Sequence, residues 1–217
     1  MVAEEETGQE PVGSAHGLAD DRRITTLADN MFGIVMTLLV LGIDVPQVPD
    51  DAIADRLVDE VFLLWPRIAA YVVSFLFLGI FWMGHHTQFH FMRGVNKNVL
   101  WINILFFMCV CLVPFTTRLV GRYNGQEIAL GLYGLNLIAI NLMLLVHWRY
   151  AAHADLLTPE TGSEEMRKVS RRILVGVAMF AAAIAVSFVS PRWSLAVFLL
   201  VPLLHVLPGP IHMHWTR

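Results

Sequence analysis

A chain of 217 residues that is 56% hydrophobic and only 15% charged, with a mean hydropathy of +0.60, is far more apolar than a soluble domain, in which roughly a quarter of residues are charged. At about 20 apolar residues per crossing there is room for about six membrane spans and no separate catalytic domain, so any function lies between helices. The formal charge of −3 offers none of the basic surface that nucleic acid requires, which excludes nucleic acid as a main partner.

Residues 1–21 carry Glu4, Glu5, Glu6, Glu10, Asp20 and Asp21 among Gly, Pro and Ser. They lack the basic start and apolar stretch of a signal peptide and read as a disordered acidic tail ahead of a membrane domain covering 22–217. Apolar runs bounded by charge or turn residues predict six spans, near 24–45, 66–90, 99–120, 127–149, 170–190 and 193–211. The fold class is therefore all-α, an integral membrane bundle. The third and fourth spans are the clearest, because neither Val99 to Thr117 nor Ile128 to His147 holds an acidic or basic residue other than His147 itself. Each can satisfy its backbone internally as a helix. Cys109 and Cys111 fall inside one of these runs and read as small buried hydrophobes rather than a disulfide framework. Pro202, Pro208 and Pro210 interrupt the sixth run, so it reads as a short span or a re-entrant segment.

With the N-terminus inside, Arg22, Arg23, Arg93, Lys97, Arg149, Arg167, Lys168, Arg171, Arg172 and Arg217 are cytoplasmic, against Arg56, Arg67, Arg118, Arg122 and Arg192 outside. The positive-inside rule then puts both termini in the cytoplasm. The first external loop is acidic, with Asp50, Asp51, Asp55, Asp59 and Glu60. It reads as a solvated amphipathic linker helix over Asp50 to Phe62, or as an acidic rim that gathers cations.

The first span holds the informative residues. Asp29 sits in an otherwise apolar helix, and a carboxylate there costs roughly 2.5 to 3.5 kcal/mol to insert unless it faces a bundle interior or wet cavity with a partner. Arg23 is six residues away, about 240° around a helix, so the two do not face each other. Donors lie on the next two spans, at Trp82, His85, His86 and Gln88, and at Asn96 and Asn103. Further along, Ile34, Thr37, Leu38, Leu41 and Val45 repeat on one helix face. Around a symmetry axis that face would form apolar rings that close a pore by dewetting, with Thr37 as the one hydroxyl. In a single membrane helix the same stripe also suits lipid or packing contact.

His85, His86 and His90 close the second span, and the last two have the i, i+4 spacing of metal ligands. No second His or carboxylate box accompanies them, so a hydrogen-bonding or proton-responsive role is the preferred reading and no metal is expected. No hydrolase elbow, zinc-protease motif, phosphate-binding loop or dinucleotide fingerprint is present, and the chain is not read as an enzyme.

The stretch RITTLAD, Arg23 to Asp29, followed by NMFGIVMTLLVLGIDVP, resembles the R-x-x-x-F-S-D opening helix of the transmembrane protein 175 family of potassium channels. YVVSFLFLGIFWMGHHTQFH, from Tyr71, and LWINILFFMCVCLVPFTTRLV, from Leu100, resemble that family's second and third helices. Leu27 and Ala28 depart from the family's Phe and Ser. The resemblance implies six helices per subunit, a bacterial plasma-membrane homotetramer, and passive, modestly selective conduction of potassium, with no cofactor. It also implies a pore lined by the first helix, with Ile34, Leu38 and Leu41 as constriction and Thr37 tuning selectivity, and an inter-helix polar network of Arg23, Asp29, Trp82, His86 and Asn103. A proton-coupled or metal-handling transporter using Asp29 and the His85, His86 and His90 cluster is the alternative.

Overall fold

The computed structural model describes residues 12–206, with side chains from residue 23 to residue 202. The elements are α1 (Val12–Val40), a 3-10 turn (Asp50–Ala52), α2 (Ile53–Phe62), α3 (Trp65–His90), α4 (Lys97–Cys111), α5 (Val113–Arg122), α6 (Glu127–His153), α7 (Ser163–Ser187) and α8 (Pro191–Val206). Among the described residues there is no strand, only one isolated bridge between Met92 and Leu157. Five helical stretches are long and apolar enough to cross a bilayer: Arg23–Val40 within α1, α3, α4 with α5 as one unit over Lys97–Arg122, α6 and α7. The chain is thus a multi-pass membrane protein.

Several boundaries differ from those predicted, among them the start of α7, at Ser163 rather than residue 170. The helix of the first span begins at Val12, so the part of the acidic segment from residue 12 onward is already helical; residues 1–11 lie outside the described residues. That span also ends at Val40 instead of residue 45. Leu41, Gly42 and Ile43 turn away through i to i−3 bonds of 3.0–3.2 Å, and Pro46 biases the residue before it to extended backbone. The third span is split at Leu112, where Pro114, in the first turn of α5, cannot donate to a continuing α4. Finally, the described apolar stretch of α8, Pro191–Pro202, is shorter than a crossing, and residues 207–211 of the sixth predicted span lie outside the described residues. The predicted linker helix is present as the 3-10 turn followed by α2, neither of which has a buried residue.

α6 runs through the centre, packed against α3, α4, α5, α7 and α8. Its long stretch without Asp, Glu, Lys or Arg, residues 128–148, allows burial on more than one side, from Tyr133 and Leu137 to Ile140, Leu144 and Trp148. Without a hydrophobic drive between helices in lipid, close backbone approach and van der Waals packing decide which helices meet. Gly134 permits such an approach, because a Cβ there would lie 2.6 Å from Ile184 Cγ1 of α7 and 3.2 Å from Phe198 Cζ of α8. Gly121 does the same for α5 on α3, where a Cβ would meet the Cα of Arg67 at 3.1 Å. Aromatic edges fill the remaining space, with Phe77 against Phe180 at 5.1 Å between ring centroids and Tyr133 against Phe198 at 5.2 Å.

Two turns on one side of the bundle are laced together. Arg93 N–H donates to the Leu156 carbonyl at 2.8 Å and Thr158 N–H to Phe91 at 2.9 Å. The Arg93 guanidinium also grips the Asp155 backbone and carboxylate. Asp155 has φ 56°, a left-handed conformation that Asp tolerates better than most residues.

Candidate pore helix and its polar anchors

α1 is two-sided. Ile24, Ala28, Phe32, Val35 and Leu39 are buried against the subunit, where α3, α4 and α5 receive them. The opposite face carries Ile34, Thr37, Leu38 and Leu41, all exposed on the single chain, with Leu41 at 68%. Ile34, Thr37 and Leu38 share the last turns of the helix, and Leu41 opens the turn that follows. Val45, also predicted on this face, is beyond the end of the helix and does not extend the stripe. Thr37 Oγ1 donates to the Ile34 carbonyl at 2.7 Å. The hydroxyl proton is thereby spent on the helix's own turn, leaving an oxygen that can only accept and is suited to a cation.

Asp29, also exposed, accepts a hydrogen bond from Trp82 Nε1 of α3 at 2.7 Å. The Trp82 indole in turn lies over His86, ring centroids 5.8 Å apart. Of the five residues predicted as one network, these three come together. Asn103 does not join them: its amide nitrogen donates to the Val99 carbonyl at 2.8 Å and its oxygen faces His85 Nε2 at 2.7 Å. With the amide fixed by Val99, the oxygen must accept, so His85 carries its proton on Nε2. Arg23 is exposed and makes no ion pair among the described residues.

The three clustered histidines of α3 part company. His85 is 2% exposed, flat against Phe106 at 5.0 Å, while His86 and His90 are exposed. Among the described residues no three His, Cys, Asp or Glu side chains gather as metal ligands.

Sequence reasoning missed three interactions. His147 of α6 pairs through Nδ1 with Gln88 Oε1 at 2.7 Å, and Gln88 Nε2 donates to the Leu144 carbonyl at 3.0 Å. Among the described residues His147 Nε2 is then a buried atom with no partner; with the proton on Nδ1 it is an orphan acceptor rather than an orphan donor. Thr117 donates to Ser74 at 2.7 Å and Ser74 meets the Tyr133 hydroxyl at 2.8 Å, tying α5, α3 and α6. Just past α1, Asp44 accepts from Arg118 at 3.1 Å and lies 3.7 Å from Arg67. The signal for the first two was a polar side chain inside an uncharged apolar run, which must find a partner in a membrane.

A profile of the family described as endosomal/lysosomal potassium channel TMEM175 matches residues 23–114. The chain is 30% identical to a protein of Streptomyces collinus named as a potassium channel, over 80% of this chain and 85% of that one. It is 32% identical to a second protein so named, from Chamaesiphon minutus, over 81% and 88%. Against the human protein named endosomal/lysosomal proton channel TMEM175 it is 25% identical, over 85% of this chain and 38% of that one. Among solved structures, the fold superposes with a TM-score of 0.77 on the crystal structure of a lysosomal potassium-selective channel TMEM175 homolog from Chamaesiphon minutus. That match has 28% identity and covers 87% of this chain and 97% of the other.

Proposed function

The chain belongs to the TMEM175 family and is a potassium channel of the membrane, and on that premise we propose that four copies assemble around a pore lined by α1. The observation that carries this reading is the two-sidedness of α1. One face is packed into its own subunit, while Ile34, Thr37, Leu38 and Leu41 are exposed on the single chain. Four such faces around an axis make stacked apolar rings at Ile34, Leu38 and Leu41, which close by dewetting. Thr37 contributes the single ring of oxygen acceptors between them. Discrimination is modest because no ring of backbone carbonyls replaces the hydration shell; potassium, larger and less strongly hydrated than sodium, sheds water at a narrow ring more easily.

Asp29, Trp82 and His86 serve as a structural anchor of the pore helix, and Arg23 completes it from a neighbouring helix on assembly. His85 with Asn103 fastens α3 to α4 behind it. α8 supplies the sixth crossing of the subunit. Both termini face the cytoplasm of a bacterial plasma membrane, as the Lys and Arg distribution favours.

Purified protein in liposomes should pass potassium down its gradient with no proton gradient imposed. In a background lacking Cys109 and Cys111, cysteines at Ile34, Leu38 and Leu41 should confer block by thiol reagents, and cysteines at Val35 and Leu39 should not. Block confined to Val35 and Leu39 overturns the pore assignment. Flux that requires a proton gradient replaces the channel by a coupled transporter.

A further inference from the structure

Away from the α1 face, α3, α6 and α7 border a partly open cleft of about 350 Å³, within the range of small-ligand pockets. Its two ends differ chemically. Thr87, Gln88 and Arg172 line one end, beside the last turn of α3 and the basic start of α7. Phe77, Phe81 and Phe180 line the other. Along α7, Arg172 and Phe180 are about 12 Å apart at 1.5 Å per residue.

The polar end has a cation to spare. Gln88 is occupied by Leu144 and His147, and the Thr87 hydroxyl donates to the Met83 carbonyl at 2.7 Å. The carboxylates about two turns before, Glu164 and Glu165, are held by Lys168 at 2.9 and 3.6 Å. Arg172 is exposed and makes neither an ion pair nor a side-chain hydrogen bond among the described residues. It is also the last basic residue before the apolar run of α7 begins at Ile173, which is the depth of lipid phosphates when the basic segment is at the surface.

A soluble anion would satisfy Arg172 and leave the aromatic end unused. A neutral apolar molecule would fill the aromatic end and leave the guanidinium unpaired at its mouth. A molecule with an anionic head and a hydrocarbon tail meets both demands, and basic pockets between membrane helices on the cytoplasmic side suit anionic headgroups. We propose that this cleft binds one anionic phospholipid, its phosphate on the Arg172 guanidinium and one acyl chain laid against Phe77, Phe81 and Phe180. The assignment to the cytoplasmic leaflet rests on the orientation proposed above; the site itself does not.

Native mass spectrometry of the full chain, titrated with phosphatidylglycerol or phosphatidylcholine of equal chain length, tests this whatever the oligomeric state. Phosphatidylglycerol should bind about fivefold more tightly, the preference expected from one basic residue at the surface. Arg172→Gln should abolish that preference and Arg172→Lys keep most of it. Arg171→Gln, one residue away and outside the cleft, should leave it intact. Ile80→Trp, which fills the cleft, should weaken both lipids. Equal losses from Arg171→Gln and Arg172→Gln would mean a diffuse charge effect and overturn the site. So would unchanged phosphatidylglycerol binding in Ile80→Trp, or a cysteine at Met83 cross-linking to a second copy of the chain.

Discussion

Cutting the bond between Asp29 and Trp82 tests whether the carboxylate of α1 is structural. A hydrogen bond to a charged group contributes about 1.5–3 kcal/mol. At 2.7 Å the Asp29 bond has good geometry, but both side chains are exposed on the single subunit, Trp82 to 38%, so the lower end, about 1.5 kcal/mol, applies. Trp82→Phe removes only the N–H and keeps a ring to lie against His86, while Asp29→Ala removes the acceptor. In a double-mutant cycle on unfolding free energy, followed by melting and gel filtration in detergent, the two changes should couple by about 1.5 kcal/mol. Asp29→Asn, which keeps an oxygen acceptor but no charge, should retain about half of that. Coupling within about 0.3–0.5 kcal/mol of zero, the range for independent sites, would refute the anchor. Normal assembly with loss of proton flux alone in Asp29→Ala would move the residue into a transport role.

Four further outcomes follow from the geometry. Ile34→Asn should raise single-channel conductance, because a polar ring wets a constriction that apolar side chains dry; an unchanged conductance would remove Ile34 from the pore. Thr37→Ala should keep conduction while moving the bi-ionic potassium and sodium reversal potential toward that of a nonselective pore, and an unmoved potential would leave selectivity to the apolar rings. Asp44→Asn loses two half-exposed pairs, each worth about 0.2–1 kcal/mol, so melting at low salt should show a loss of about 1 kcal/mol that shrinks at high salt. Gly134→Val should cost about 1–3 kcal/mol by overpacking against Ile184 and be partly relieved by Ile184→Ala. The control for that change is Gly131→Ala, where an added Cβ meets nothing within 4 Å, and which should melt like the parent.

The spans were legible because an apolar run long enough to cross admits few structures other than a helix, as Ile128 to His147 shows, although the break at Leu112 divides the run from Val99 to Thr117 into two helices. Asp29 was legible for the complementary reason: a lone carboxylate in such a run demands a partner, and Trp82 was among the few donors in reach. Which donor answers which acceptor was not legible. His85 and His86 are adjacent in sequence but about 100° apart on the helix, so one turns inward to Asn103 and the other outward beside Trp82. Rotation of α3 about its axis decides that, and close approaches such as Gly121 on Arg67 set how helices meet. Just past α1, Asp44 meets Arg67 and Arg118 on two later helices, a pairing that no local pattern encodes. The same holds for Gln88 and His147.

The polar ties that hold this bundle have a consequence for its birth at the ribosome. Ser74 and Tyr133 are 59 residues apart, as are Gln88 and His147; Asp29 and Trp82 are 53 apart and Asp44 and Arg118 74 apart. At 5–20 residues per second, a residue waits roughly 3–12 s for a partner 59 positions downstream. During that interval α1 and α3 are already made, with Ser74, His85 and Gln88 lacking α4 or α6 to answer them. Insertion, driven by apolar length, therefore runs ahead of those ties that wait for α6, Ser74 with Tyr133 and Gln88 with His147. A nascent chain arrested before Tyr133 should be inserted yet open to polar reagents along α3, and the same chain extended past His153 should close.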